Sequence, residues 1–344
     1  MNLSNFIKLL SLGLFFSFTL SLKAEEADET YISKRISDQE KLELTSIDPK
    51  QIGDFDPKEN IFWFRDTTNL LEEQHFFSFS ELLAKGQTPF QSYAVIKTGA
   101  FGKILFIDGE SQSAQADEYI YHESLIHPAM IAHPNPKKVL IVGAGEGAAA
   151  REVLRHPSVE RLVLVDIDGE IIQNCKELLP EWHEGSFTHP KVQLLIEDGK
   201  KYVEETNERF DVIVIDVCDK LNDSPAAALY TKEFYHSVKK ILNPHGIVVI
   251  QAMEFQPNES ADHMLVHKIL KTEFSAVASY LVFVPSFWTT WGFVIARDGE
   301  NFNPSVQAVD QILQERSLDK QLKHYDGITH QNMFSIPKEI RKLL

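Results

Sequence analysis

The sequence predicts an α/β protein, a doubly wound, Rossmann-like sheet with a small N-terminal antiparallel β module, and three observations lead to it. Between Lys137 and Met253 the short apolar runs KKVLIVGAG, RLVLVDID, VQLLIEDG, FDVIVIDV and GIVVIQAM alternate with helical stretches. Continuously apolar strands separated by helices belong to a parallel sheet covered on both faces. The first of these strands enters a glycine turn and then a helix, VLIVGAGEGAAAREVL, the strand-turn-helix arrangement that approaches a nucleotide. From Ile61 to about Gln115 the runs shorten to FSFSELL, QSYAVIKTG and KILFIDGESQ, broken at Thr98-Gly99 and Asp108-Gly109, as in antiparallel hairpins.

In chain order, Lys8 precedes an uncharged run from Leu9 to Leu22, followed by Lys23, Ala24 and two acids. Residues 1–24 read as a secretory signal peptide, too short for a spanning helix but open to retention as a short anchor. The expected location is therefore exported, periplasmic or secreted, or cytoplasmic and membrane-anchored if the leader stays. Residues 25–60 are a polar extension without periodicity. Residues 61–128 hold the β module and the linking helix DEYIYHESLIHPAMIAH, which stops at His133-Pro134-Asn135-Pro136. Residues 129–300 form the Rossmann-like domain, and 301–344 a helical tail.

The leader contains two Lys and no acid, so the other residues carry 32 basic and 50 acidic side chains, a net charge of −18. This balance excludes nucleic acid as the expected partner and suits a cationic substrate, although a solubilising acidic surface would look the same. Cys175 and Cys218 lie far apart and imply no disulfide framework.

Gly143, Gly145 and Gly147 let the backbone turn tightly and approach a ligand, and Asp166 follows 19 residues past Gly147, at the end of the next strand. A carboxylate there suits two ribose hydroxyls; the same spacing admits a dinucleotide, and a tight turn alone remains open. Acids then collect at successive strand ends: Glu146, Asp166, Asp198, Asp216 and Asp219. Any one could be a helix cap, but together they line the edge where open α/β sheets bind ligands. An anionic crevice beside a nucleoside site fits a cationic nucleoside together with an amine.

Over residues 60–300 the segments DGESQSAQADEYIYHESLIHP, VLIVGAGEGAAAREVLRH, VDID, EDG, DVIVIDVCD and LYTKEFY, in this order, resemble the spermidine synthase family, the polyamine aminopropyltransferases. VDID, PEWHEGSF and PSFWTTWGF are similar to its bacterial and thermospermine-forming branches. The resemblance implies a class I methyltransferase-like fold and transfer of an aminopropyl group from decarboxylated S-adenosylmethionine to an amine such as putrescine, releasing methylthioadenosine. No permanent cofactor or metal is implied, and a homodimer or homotetramer is. Gln91 and His122 would help hold the donor, beside Gly143 and Gly145; Glu146 would face its aminopropyl tail, Asp166 its ribose and Asp198 its adenine. Asp216 would be the base, Tyr121 would orient the attacking nitrogen, and Asp219 and Trp288 would receive the amine, with Trp291 a second candidate wall.

Blander readings stand beside these. Tyr121, His122, Trp288 and Trp291 could be core residues, and Gln91 a lone polar residue on a strand. His122 and His127 are five apart, off the helical spacing a zinc pair needs. Lys220 stands where relatives carry a proline, and Gln251-Ala252-Met253-Glu254 where they carry small residues. Three other classes compete: a non-catalytic polyamine-binding protein, a methyltransferase using S-adenosylmethionine, and an NAD-dependent dehydrogenase.

Overall fold

The computed structural model describes residues 62–66, 75–218, 225–299 and 303–344. The leader and extension expected over residues 1–60 lie outside the described residues, as do Asp219 and Lys220. Five strands, β1 (Phe62–Asp66), β2 (His75–Gln87), β3 (Ser92–Thr98), β4 (Gly102–Ile107) and β5 (Glu110–Ala114), form an antiparallel sheet in sequential order. Asp108 and Gly109 both adopt positive φ, 49° and 89°, between β4 and β5, which is the two-residue hairpin that the Asp-Gly pair favours.

Helix α1 (Glu118–Ala132) leads into a seven-stranded sheet. Its strands are β6 (Lys138–Val142), β7 (Arg161–Asp166), β8 (Val192–Ile196), β9 (Phe210–Ile215), β10 (Leu242–Glu254), β11 (Ala276–Val284) and β12 (Thr289–Arg297), in the order β11-β12-β10-β9-β6-β7-β8. The run from β8 to β10 is parallel, as the apolar strands require. The sheet is mixed, however, because β12 pairs antiparallel with β10 and β11 antiparallel with β12; a helix, Ala261–Glu273, precedes β11 as it would a parallel strand, and only the short turn Pro285–Phe287 separates β11 from β12.

Both faces of the sheet are buried, and alternate residues of one strand serve opposite layers. Val139 and Ile141 of β6, with Val212 and Val214 of β9, pack with α1, with α2 (Ala148–Leu154) and with the C-terminal segment, including Leu313 and Met333. Leu140, Val142, Ile213 and Ile215 face Val203, Phe234 and Val266 of the helices on the other side. Each such aliphatic side chain contributes about 1.5–3 kcal/mol on burial. The tail over 303–344 joins this core: Glu123 of α1 accepts hydrogen bonds from the backbone N–H groups of Lys323, His324 and Tyr325, each at 2.8 Å.

Strand β6 lies between β7 and β9: the chain passes from β6 to β7 on one side and returns from β8 to β9 on the other, so the carboxyl ends of β6 and β9 flank the point where open sheets leave a ligand crevice.

Candidate active site

The turn after β6 is shaped by contact with the end of β9. Gly143 has φ 90°, and a Cβ there would sit 2.0 Å from the Asp216 carbonyl oxygen, so only glycine lets the two strand ends approach. Gly145 has φ 47° with open space where a Cβ would point, leaving its backbone free to meet a ligand. The Asp166 carboxylate holds the turn from the neighbouring strand, accepting from the N–H groups of Ala144 at 2.9 Å and Gly145 at 3.1 Å and, with its other oxygen, from Asp168 N at 2.8 Å. Burial pushes the Asp166 carboxyl up, against these donors.

Above the turn lies a cavity of about 230 Å³, lined by Gly143, Gly145, Glu146, Asp166, Asp216 and Trp291 among others. Tyr121 and His122 reach it from α1, and Gln91 from the loop before β3. The Tyr121 hydroxyl donates to Asp216 Oδ1 at 2.6 Å. Burial raises Asp216 to about 6; His122 and the Tyr121 hydrogen bond pull it down, and the Glu146 and Asp166 charges push it up. His122 is 2% exposed and lies between Glu118, at 2.9 Å from Nδ1, and Glu146, at 3.2 Å from Nε2. Burial opposes charge on the ring, but its two carboxylate partners overcome it and push it up to about 10. Burial likewise raises Glu146, and His122 more than offsets it, so that Glu146 lies below the usual carboxylate range.

Asp198 sits at the rim, where its Oδ1 caps the helix Gly199–Glu205 by accepting from Lys200 N at 2.8 Å and Lys201 N at 3.2 Å. Cap and site coincide there, since the same residue lines the cavity. The Gln91 amide donates to Asp168 Oδ2 at 3.0 Å, which ties the β module to the segment that follows β7.

Trp288 lies outside the cavity lining. It adopts φ 59° after the turn Pro285–Phe287 and is 51% exposed. Its ring stacks on His75 at 5.7 Å and meets Phe101 edge-on at 6.3 Å, packing on the antiparallel sheet instead of lining the cavity. Trp291, three residues later in β12, lines the cavity against Phe287 at 5.0 Å and Tyr121 at 6.4 Å. Reversal of the chain at Pro285–Phe287 sets which indole faces inward.

The sequence reading missed four supporting residues. Asp168 accepts from Thr88, Gln91 and two backbone N–H groups of its own helix. Asp117 accepts from Ser286 N and Oγ, fixing the start of α1 against the turn that places Phe287. Glu118 and Arg151 pair behind His122; the i,i+4 spacing of Glu118 and His122 was a signal available in the sequence. His127 is directed at Glu152 and His156, away from His122. Cys175 is buried, and the half-buried Cys218 thiol donates to Gln91 Oε1 at 3.9 Å.

An anionic cavity over a glycine turn, at the switch point of a methyltransferase-like sheet, defines a group-transfer enzyme for a nucleoside-bearing substrate. Residues 118–306 match the spermine/spermidine synthase domain, and residues 62–115 the spermidine synthase tetramerisation domain. A polyamine aminopropyltransferase of Sulfurisphaera tokodaii is 44% identical over 276 residues, covering 79% of this chain and 90% of the relative. Polyamine aminopropyltransferase 2 of Pseudomonas aeruginosa is 40% identical over 273 residues, covering 79% and 78%. A crystal structure of spermidine synthase in complex with the transition state analogue AdoDATO has a TM-score of 0.77 at 26% identity, covering 90% of this chain and 98% of that one. The chain belongs to the spermidine synthase family. It is an aminopropyltransferase that uses decarboxylated S-adenosylmethionine as co-substrate, and its tetramerisation domain makes it an oligomer.

The expected location is corrected with it. The homologues are spermidine synthases, which are normally cytoplasmic, and this overturns the export inferred from residues 1–24. A charge-and-hydropathy pattern alone does not fix where a chain resides.

Proposed function

We propose that Asp216 is the general base and Tyr121 its partner in transfer of the aminopropyl group to an aliphatic diamine such as putrescine. The observation that carries this is the 2.6 Å bond from the Tyr121 hydroxyl to Asp216, at a carboxyl raised to about 6. A base in that range is ionised near neutral pH yet retains affinity for a proton. An amine enters as an ammonium ion; Asp216 removes one proton, and the freed nitrogen lone pair attacks the methylene carbon bonded to the sulfonium. The carbon–sulfur bond breaks, its electron pair neutralises the sulfur, and methylthioadenosine leaves while the product retains the new carbon–nitrogen bond. Sulfonium is a good leaving group, so alignment of the reactants supplies much of the remaining rate.

In this reading Glu146 receives the donor's ammonium group, Asp166 its ribose hydroxyls and Asp198 its adenine. Gln91 and His122 support that side, with Gly143 and Gly145 giving close backbone approach. Asp219 holds the second charge of the diamine, and Trp291 replaces Trp288 as the wall of the amine site.

The test is methylthioadenosine release from decarboxylated S-adenosylmethionine with putrescine, agmatine, cadaverine and spermidine in turn. Release with putrescine, lost in Asp216→Asn, is expected. Undiminished release in that variant would remove Asp216 from the role of base, and release with another amine alone would reassign the acceptor.

A further inference from the structure

A line of buried ionic side chains leads from the cavity into the helical layer. His122 Nε2 lies 3.2 Å from Glu146 Oε1, and Nδ1 lies 2.8 Å from the Glu118 carbonyl oxygen and 2.9 Å from Glu118 Oε2. All three partners only accept hydrogen bonds when the carboxylates are ionised. A neutral imidazole has one N–H and would turn a lone pair toward an acceptor, so only the doubly protonated ring satisfies both sides. Glu118 is kept ionised by Arg151, whose Nη1 and Nη2 donate to its two oxygens at 3.1 and 2.9 Å. Arg151 is fixed in turn by Glu152 at 2.7 Å and the Trp182 carbonyl at 2.6 Å. The Glu118 and Arg151 side chains are each 7% exposed, so solvent screens their interaction little.

We propose that Glu118, clamped by Arg151, is a positioning residue for the transfer: it keeps the His122 ring doubly protonated, so that Glu146 stays fixed as a charged acceptor and Asp216 faces a permanent positive charge. This rests on the roles given above to Glu146 and Asp216.

The groups that face His122 are Glu118 and Tyr121 from its own helix, Glu146 from the glycine turn and Asp216 from the end of β9, with Arg151 acting from α2 through Glu118. Asp166 is the further charge acting on Asp216. Loss of the Glu118 charge removes the reason for the second ring proton. Glu146 then loses a charged donor, and Asp216 remains protonated to higher pH.

Two measurements test this. The first needs no turnover: in the full chain with 15N-labelled histidine, one ring is expected to stay doubly protonated from pH 6 to above pH 8, and its signal to vanish in His122→Gln. Absence of any such ring in the unsubstituted chain overturns the proposal even if Asp216 is the base. The second is the pH profile of kcat/KM for the donor. Glu118→Gln is expected to move the acid limb upward by about 1 pH unit and to lower kcat/KM at least about tenfold. Glu118→Asp should bring the limb most of the way back. A folded Glu118→Gln protein with reduced activity and an unmoved acid limb would show a merely structural role. Should that variant fail to fold, the histidine spectra of the unsubstituted chain and His122→Gln decide.

Discussion

Replacing Asp216 with Asn should abolish transfer and at the same time stabilise the folded protein. Raising this carboxyl from 3.8 to about 6 corresponds to about 3 kcal/mol against the folded state once the group is fully ionised. Because Asp216 is only partly buried, solvent reduces that to about 1–2 kcal/mol. The sign follows from proton linkage: a raised carboxyl favours the folded state most below the unfolded value of 3.8, and the destabilisation grows until pH passes about 6. Asn removes the ionised form while its side-chain oxygen can still accept from Tyr121, so about a third of its advantage should be present at pH 4.5 and the full ~1–2 kcal/mol at pH 8. Urea unfolding of both proteins at the two pH values, at equal protomer concentration, reads this difference. An Asn variant less stable at pH 8, or one with a pH-independent difference, would refute the assignment of Asp216 as a destabilised, ionised carboxylate.

Other substitutions probe the surrounding geometry. Tyr121→Phe deletes the donor to Asp216, so kcat should fall about ten- to a hundredfold and the acid limb of the pH profile should move upward, as initial rates over pH 5–9 would reveal. Trp291→Ala should raise KM for the amine, since its ring lines the cavity; Trp288→Ala should leave that KM within about twofold and act, if at all, on stability. Gly143→Ala would drive a methyl group against the Asp216 carbonyl, and a loss of more than about 3 kcal/mol is expected from its denaturation midpoint.

How much of this was legible in the sequence depends on the kind of information each element carries. The parallel half of the sheet was legible because strands buried on both faces are apolar at every position, as Val139–Val142 and Val212–Ile215 are. The glycine turn, Asp166 and Asp216 were legible because they follow strand ends at short range, where chain connectivity alone fixes their position. The antiparallel hairpin of β11 and β12 was not, since β12 is buried continuously over Trp291–Ala296 much as a parallel strand would be, and nothing local marks its direction.

What the sequence determined by itself was the family, the fold class and the gathering of Glu146, Asp166, Asp198 and Asp216 at one sheet edge, because these depend on local pattern and order along the chain. Only the tertiary structure decided which aromatic ring enters the cavity: Trp288 and Trp291 are three residues apart, and a left-handed residue after Pro285–Phe287 sends the first toward the antiparallel sheet. It alone paired Tyr121 with Asp216, 95 positions apart, and Glu118 with Arg151, 33 apart. Charge state in a buried cluster depends on distances between groups that the chain brings together only on folding, and for that reason the doubly protonated His122 has no counterpart in the sequence.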